Sequence, residues 1–189
     1  ASLVAMRQDN LKARLAYSTV GQLSYIVTAA MLVNQLAALG GSMHIVMHAF
    51  GKITLFFCAG AIYVATKKTE ISDMNGLGRR MPITFAAFFI GALCVIGIPP
   101  MGGIWSTWHL ISDAGYGWVV AALMISTLLN IAYLIPPVMR AFLLPPPPEE
   151  APEGVREAPW LCVLPLSLTA LGCLAAFFFA DALAGLLSG

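Results

Sequence analysis

Charge is what this chain has least of. Only 10% of its 189 residues are Asp, Glu, Lys or Arg, and ten basic against nine acidic side chains leave a formal net charge of +1. A soluble domain carries roughly a quarter of its residues as charged groups, so this composition is not one built for water. The near balance of signs also excludes a basic nucleic-acid surface and a strongly charged substrate face. Cysteine is scarce as well. Cys58, Cys94, Cys162 and Cys173 stand singly inside apolar runs, without a CxxC pair or metal-ligand spacing. That excludes a disulfide framework and a zinc ribbon, and the four read as small buried hydrophobes. No Ser/His/Asp constellation or nucleotide loop is present, and Gly76 and Gly78 in NGLG are too short a feature to cradle a phosphate. No catalytic chemistry of its own and no cofactor are therefore expected.

Apolar residues make up the balance, 59% of the chain, with a mean hydropathy of +0.84. A soluble chain this small leaves too much surface facing water to bury so much apolar area. The class is an all-α integral membrane protein. Its first residues, ASLVAM, are apolar and stop at Arg7 with no basic lead-in or cleavage site, unlike a secretory signal. They read as the last turns of a helix that starts upstream, and the chain as part of a longer membrane protein.

Five spans follow from the apolar runs. The first, about 15–39, carries Tyr17, Ser18, Thr19, Gln22, Ser24, Tyr25 and Asn34. That is too polar for a helix facing lipid all round, so one face packs on other helices or a wet interior. Gly40 and Gly41 read as a short turn before the second span, 42–66. A hydrophilic loop, 67–82, leads to a third apolar stretch, 83–112, interrupted at 97–103 by GIPPMGG. Pro99 and Pro100 remove two backbone donors, while Gly97, Gly102 and Gly103 permit conformations other residues avoid. This predicts a broken helix, or else a true loop followed by a re-entrant piece. Unwound backbone at membrane depth is tolerated where protein buries it or water hydrates it. A fourth span covers 116–138, a proline-rich acidic loop runs to 159, and a nearly all-apolar fifth span covers 160–183. Asp113, Asp181 and the Glu149 to Glu157 cluster are expected in solvent.

Nine of the ten basic residues (Arg7, Lys12, Arg14, Lys67, Lys68, Arg79, Arg80, Arg140 and Arg156) then fall outside the spans and on one side of the membrane. The positive-inside rule makes that side cytoplasmic and puts the C-terminus outside. Lys52 is the exception, in the middle of the second span. With His44 and His48 it forms a series at intervals of four residues, which on a helix share one face about 6 Å apart along the axis.

A lysine at mid-membrane is costly and is retained where it pairs, faces a cavity or relays charge. Histidine has two ring nitrogens and can accept a proton on one while releasing one from the other. Lys52 is thus the candidate switching group, with His48 and His44 as its relay. His44, near the helix end, also reads as a hydrogen-bonded packing residue. An HxxxH pair can bind zinc, but a third ligand is not evident, so no metal is expected. His109, between Trp105 and Trp108, reads either as another ionisable group on the path or as a polar residue of an interfacial aromatic belt.

The segments DNLKARLAYSTVGQLSYI, HIVMHAFGKITLFFCAGAI, ISDMNGLGRRMP and GIPPMGGIWS carry a resemblance. Together they resemble the proton-conducting, antiporter-like membrane subunits shared by respiratory complex I and the Mrp-type multisubunit sodium/proton antiporters, with wording nearest to the Mrp D subunit. The resemblance covers residues 9–140. It implies a fourteen-helix fold built of two inverted repeats, each with a broken helix, of which this chain matches the last five helices and the tail of the ninth. The buried glutamate and two lysines of the first repeat fall outside it. Lys52 matches the family's central lysine after HAF, His48 and His44 the histidines one and two turns before it, and Gly97, Pro99, Pro100 and Gly103 the helix break. Where relatives commonly carry a lysine or glutamate, this chain has Thr107, which cannot carry a proton; His109 lies two residues on, about 200° around a helix.

The resemblance implies a proton-translocating subunit of a monovalent cation/proton antiporter, in contact with other membrane subunits, lipid, protons and sodium, in a bacterial cytoplasmic membrane. Two alternatives stand beside it. One is a proton-pumping subunit of complex I or a related redox-driven complex; the other, which Thr107 favours, is a structural subunit that no longer conducts.

Overall fold

A computed structural model describes residues 1–112, 116–146 and 156–188, and over these the chain is helical, with one isolated antiparallel bridge between Asn10 and Glu70. Asp113 and residues 147–155 of the acidic loop lie outside the described residues. Helix α1 (Ser2–Arg7) leads through a three-residue hinge into α2 (Leu11–Leu32), which Asn10 starts by accepting the Ala13 N–H at 3.1 Å. Such a cap satisfies one of the donors a helix start leaves open. Helix α3 (Gln35–Thr66) has 32 residues. At 1.5 Å per residue it is roughly 48 Å long, well beyond the hydrocarbon thickness of a bilayer.

The turn between α2 and α3 falls at Val33 and Asn34, not at Gly40 and Gly41. Val33 takes a left-handed conformation (φ 49°), and Asn34 caps α3 through the Ala37 N–H at 2.6 Å. The two glycines are instead buried inside α3, where they allow close packing. A Cβ at Gly41 would stand 2.6 Å from the Ala29 methyl, and one at Gly40 would stand 3.1 Å from His109 Cβ. Small residues of this kind bring membrane helices together, so they do not mark turns here.

Beyond α3 come a 3-10 turn (Ile71–Met74), the single-turn helix α4 (Leu77–Arg80), and the two halves of a broken span, α5 (Pro82–Ile96) and α6 (Gly103–Ser112). Gly97 ends α5 at φ +84°, a conformation suited to glycine. A Cβ at Gly103 would overlap the Cys94 carbonyl oxygen, so glycine is what lets α6 start against the end of α5. The break is covered by protein on one side: Met101 is buried with Cys94 and Cys173, and the Gly102 N–H donates to the Cys173 carbonyl at 3.4 Å, while Pro99 and Pro100 are exposed.

Helix α7 (Gly117–Leu143) continues through Pro136 and Pro137, and α8 (Trp160–Phe178) is followed after Phe179 by α9 (Ala180–Ser188). The apolar run expected as one span to 183 is thus interrupted, at Phe179, a residue with no breaker chemistry. Among the described residues, α2, α3, α7 and α8 are each long and apolar enough to cross a membrane. The halves α5 and α6, of 15 and 10 residues, are each too short to be counted among them.

Helix α3 is the hub, packed against α2, α5, α6 and α8. Half of its most apolar stretch is buried, against 17% for α8. At one end, hydrogen bonds tie the hydrophilic connections together. Leu11 N–H donates to Thr69 O and Ile71 N–H to Asp9 O, both at 2.9 Å, Gly76 N–H to Arg140 O at 3.2 Å, and Arg156 N–H to Arg80 O at 2.8 Å. Glu157 caps α5, accepting the Ile83 N–H and the Thr84 hydroxyl at 2.6 Å each. The basic segments thus share one end of the bundle.

Candidate functional site

Among the buried polar residues of α2, Ser18, Gln22 and Tyr25 recur at intervals of four and three and so form one stripe facing α3. From α3 itself come His44, His48 and Lys52, and from α6, Ser106. Lys52 is only 6% exposed. Its Nζ donates to the Leu15 carbonyl at 3.2 Å and to the Ser18 hydroxyl in a short contact, and Ser18 donates in turn to the Leu15 carbonyl at 3.1 Å. Among the described residues no carboxylate pairs with it. The amine is held by neutral oxygens alone.

Behind Ser18 lies the Tyr133 hydroxyl of α7, which donates to Asn130 Oδ1 in another short bond. All three residues are buried. One turn along α3 from Lys52, His48 has a buried Nδ1 with no hydrogen-bond partner among the described residues. Its ring is stacked on His44 at 5.8 Å between centroids and 14° between planes, and His44 is stacked on Tyr25 at 5.3 Å and 4°.

Both ring nitrogens of His44 are engaged. Nε2 lies 3.0 Å from Gln22 Oε1, and Nδ1 lies 3.1 Å from Ser106 Oγ. The Gln22 amide is oriented by its other end, where Nε2 donates to the Val95 carbonyl at 3.3 Å. That carbonyl lies in the last turn of α5, where the helix end leaves acceptors open. The helix break thus orients Gln22, and Gln22 presents an acceptor to His44.

The remaining predicted residues lie close by but face differently. Thr107 turns toward the break, its Oγ1 donating to the Gly103 carbonyl at 3.1 Å and lying 3.3 Å from where a Cβ on Gly97 would stand. His109 is half-buried one turn beyond Ser106 on the same face of α6, its Cβ against Gly40 of α3. Ser106 escaped the sequence reading; its spacing of three from His109 was the available signal. Arg14, counted with the loop charges, is buried in α2 and donates to the Tyr133 carbonyl at 3.1 Å. Pro137 cannot supply the N–H that this carbonyl would otherwise accept, and the guanidinium replaces it. Among the described residues, no group of three or more His, Cys, Asp or Glu side chains could hold a metal ion.

A hub helix with buried ionisable groups beside a discontinuous helix is the arrangement of an antiporter-like membrane subunit. Residues 1–142 match the family model described as NADH:quinone oxidoreductase/Mrp antiporter, TM, and the chain belongs to this family. It is 36% identical over 184 residues to NADH-quinone oxidoreductase subunit N of Desulforudis audaxviator (strain MP104C), a match covering 90% of this chain and 37% of that one. In the membrane-bound sulfane sulfur reductase, an archaeal respiratory membrane complex, one chain superposes with a TM-score of 0.87 at 26% identity, covering 99% of this chain and 38% of its own length. A chain of the Mrp complex from Dietzia sp. DQ12-45-1b gives 0.83 at 20% identity, over 99% and 43%, a likeness of fold. This chain therefore spans about two fifths of the length of these relatives.

Proposed function

We propose that this chain is the proton-conducting second half of an antiporter-like subunit in a Mrp-type multisubunit monovalent cation/proton antiporter, and that Lys52, His48 and His44 carry the proton. One observation supports this above the others: Lys52 is buried among neutral oxygens, on the same face of α3 as two stacked histidines. An amine so held can give up and regain its proton without breaking an ion pair, which suits a switching group better than a structural one. His48 Nδ1, buried and without a hydrogen-bond partner among the described residues, is the ring nitrogen left open to take up a proton between Lys52 and His44. His109 is the remaining candidate on the path, one turn past Ser106.

The basic end of the bundle faces the cytoplasm in this reading, and the C-terminus lies outside, in a bacterial cytoplasmic membrane. Exposed apolar side chains of α8, among them Leu161, Leu164, Leu168 and Leu171, meet lipid or neighbouring membrane subunits. A second reading, membership of a complex I-type redox-driven assembly, is favoured by the 36% identity to a subunit N. It uses the same proton path, and neighbouring genes for quinone- and flavin-site subunits would distinguish it from the first.

Lys52→Ala in the whole assembly, reconstituted in vesicles, tests the path. Proton flux is expected to fall about a hundredfold, as for loss of a proton-transfer group. Unchanged flux from a normally assembled complex would overturn the proposal and leave a structural subunit.

A further inference from the structure

Ser106 has one hydroxyl hydrogen and two groups that ask for it. Its Oγ lies 3.1 Å from His44 Nδ1 and 2.9 Å from the Gly103 carbonyl. A carbonyl only accepts. His44 Nε2 faces Gln22 Oε1, also an acceptor, so neutral His44 carries its hydrogen on Nε2 and its Nδ1 needs a donor. In that state the Ser106 hydrogen belongs to His44. Once His44 takes a second proton, on Nδ1, that nitrogen becomes a donor to the Ser106 oxygen, and the hydroxyl hydrogen is free only for Gly103.

We propose that Ser106 is a positioning residue that carries the charge state of His44 to the helix break, its hydroxyl turning between His44 Nδ1 and the Gly103 carbonyl as His44 gains and loses a proton. The inference rests on the proton-path reading above. No covalent bond of Ser106 changes; His44 gains one proton, and the serine O–H only rotates. The Gly103 carbonyl is the first of α6, at the point where the half-helix closes on α5. It is not abandoned when Ser106 turns away, because the Thr107 hydroxyl also donates to it, at 3.1 Å. This gives Thr107 work that needs no ionisable group: it holds the start of α6 while Ser106 reports to His44.

Two other features of the pocket support a built site. Ser106 is fully buried, so water does not compete for its hydrogen, and Gln22 is 1% exposed with its amide anchored on Val95. The ring of His44 is fixed in plane by Tyr25 and His48, which keeps Nδ1 aimed at α6.

The test uses the whole assembly in vesicles, with Lys52→Ala as the reference for the path itself. Ser106→Ala is expected to lower proton flux about tenfold, the scale of a lost hydrogen bond to a charged group. Ser106→Cys, near in size but a weak donor, should resemble Ser106→Ala, and Ser106→Thr should restore most of the flux. If Ser106→Ala conducts normally while Lys52→Ala does not, the inference fails and the path stands; a loss that Ser106→Thr does not restore also overturns it. If Lys52→Ala conducts normally, the path and the inference fall together.

Discussion

The two sides of α3 are made from the same helix and do opposite things. Toward α5 and α8 it presents Gly51, Thr54, Leu55 and Cys58, and the contacts are matters of shape. A Cβ on Gly51 would lie 2.8 Å from Val95 Cγ2, and Leu55 and Cys58 join the large apolar cluster with Phe88 and Ala170. Thr54 is satisfied mainly at home, its hydroxyl bonded at 2.8 Å to the Phe50 carbonyl of its own helix, with Cys173 Sγ of α8 at 3.8 Å. Toward α2 and α6 it presents Lys52 and His44, and these are met by oxygens from other helices. The packed side rests on small residues in register, with only a weak thiol contact from Cys94 Sγ to the Met47 carbonyl at 3.6 Å beside them. The polar side needs a particular atom at each contact, because an unsatisfied polar group buried at membrane depth costs several kcal/mol.

Substitutions on the two sides should separate conduction from assembly. The largest effect is the loss of flux in Lys52→Ala with assembly intact; if the complex also falls apart, the polar side is structural too. Gly51→Val, on the packed side, should lower stability by about 1–3 kcal/mol through overpacking. Thermal unfolding and complex yield would report it, with flux per assembled complex unchanged; reduced flux per complex would erase the distinction between the sides. Gln22→Leu removes the acceptor facing His44 Nε2 and should reduce flux severalfold, as expected for one hydrogen bond, with little change in yield. The smallest effect is expected for Cys58→Ala, a loss of about 1 kcal/mol at most in stability and none in flux. A measurable flux defect there would extend the polar side further than its geometry does.

Part of this division was legible in the chain. Intervals of four placed His44, His48 and Lys52 on one face, and GIPPMGG placed the break. Ser18, Gln22 and Tyr25 were visible as a polar face without a known destination. Glycine misled at 40 and 41, since the same residue serves turns and tight helix packing and only neighbours distinguish the two. Arg14 misled for a similar reason: its partner is a carbonyl released by a proline 123 positions further along the chain, Pro137.

The sequence by itself determined the solvent, the helical class and the spacing of the ionisable groups, because these depend on composition and on the period of one helix. Tertiary structure decided which atoms meet them. That Ser106 and not Thr107 faces His44, and that Gln22 joins His44 to the end of α5, follows from how four helices pack. A rotation of about 100° separates neighbouring residues on a helix, so the axial turn of α6 against α3 chooses the partner, and local periodicity carries no record of that turn.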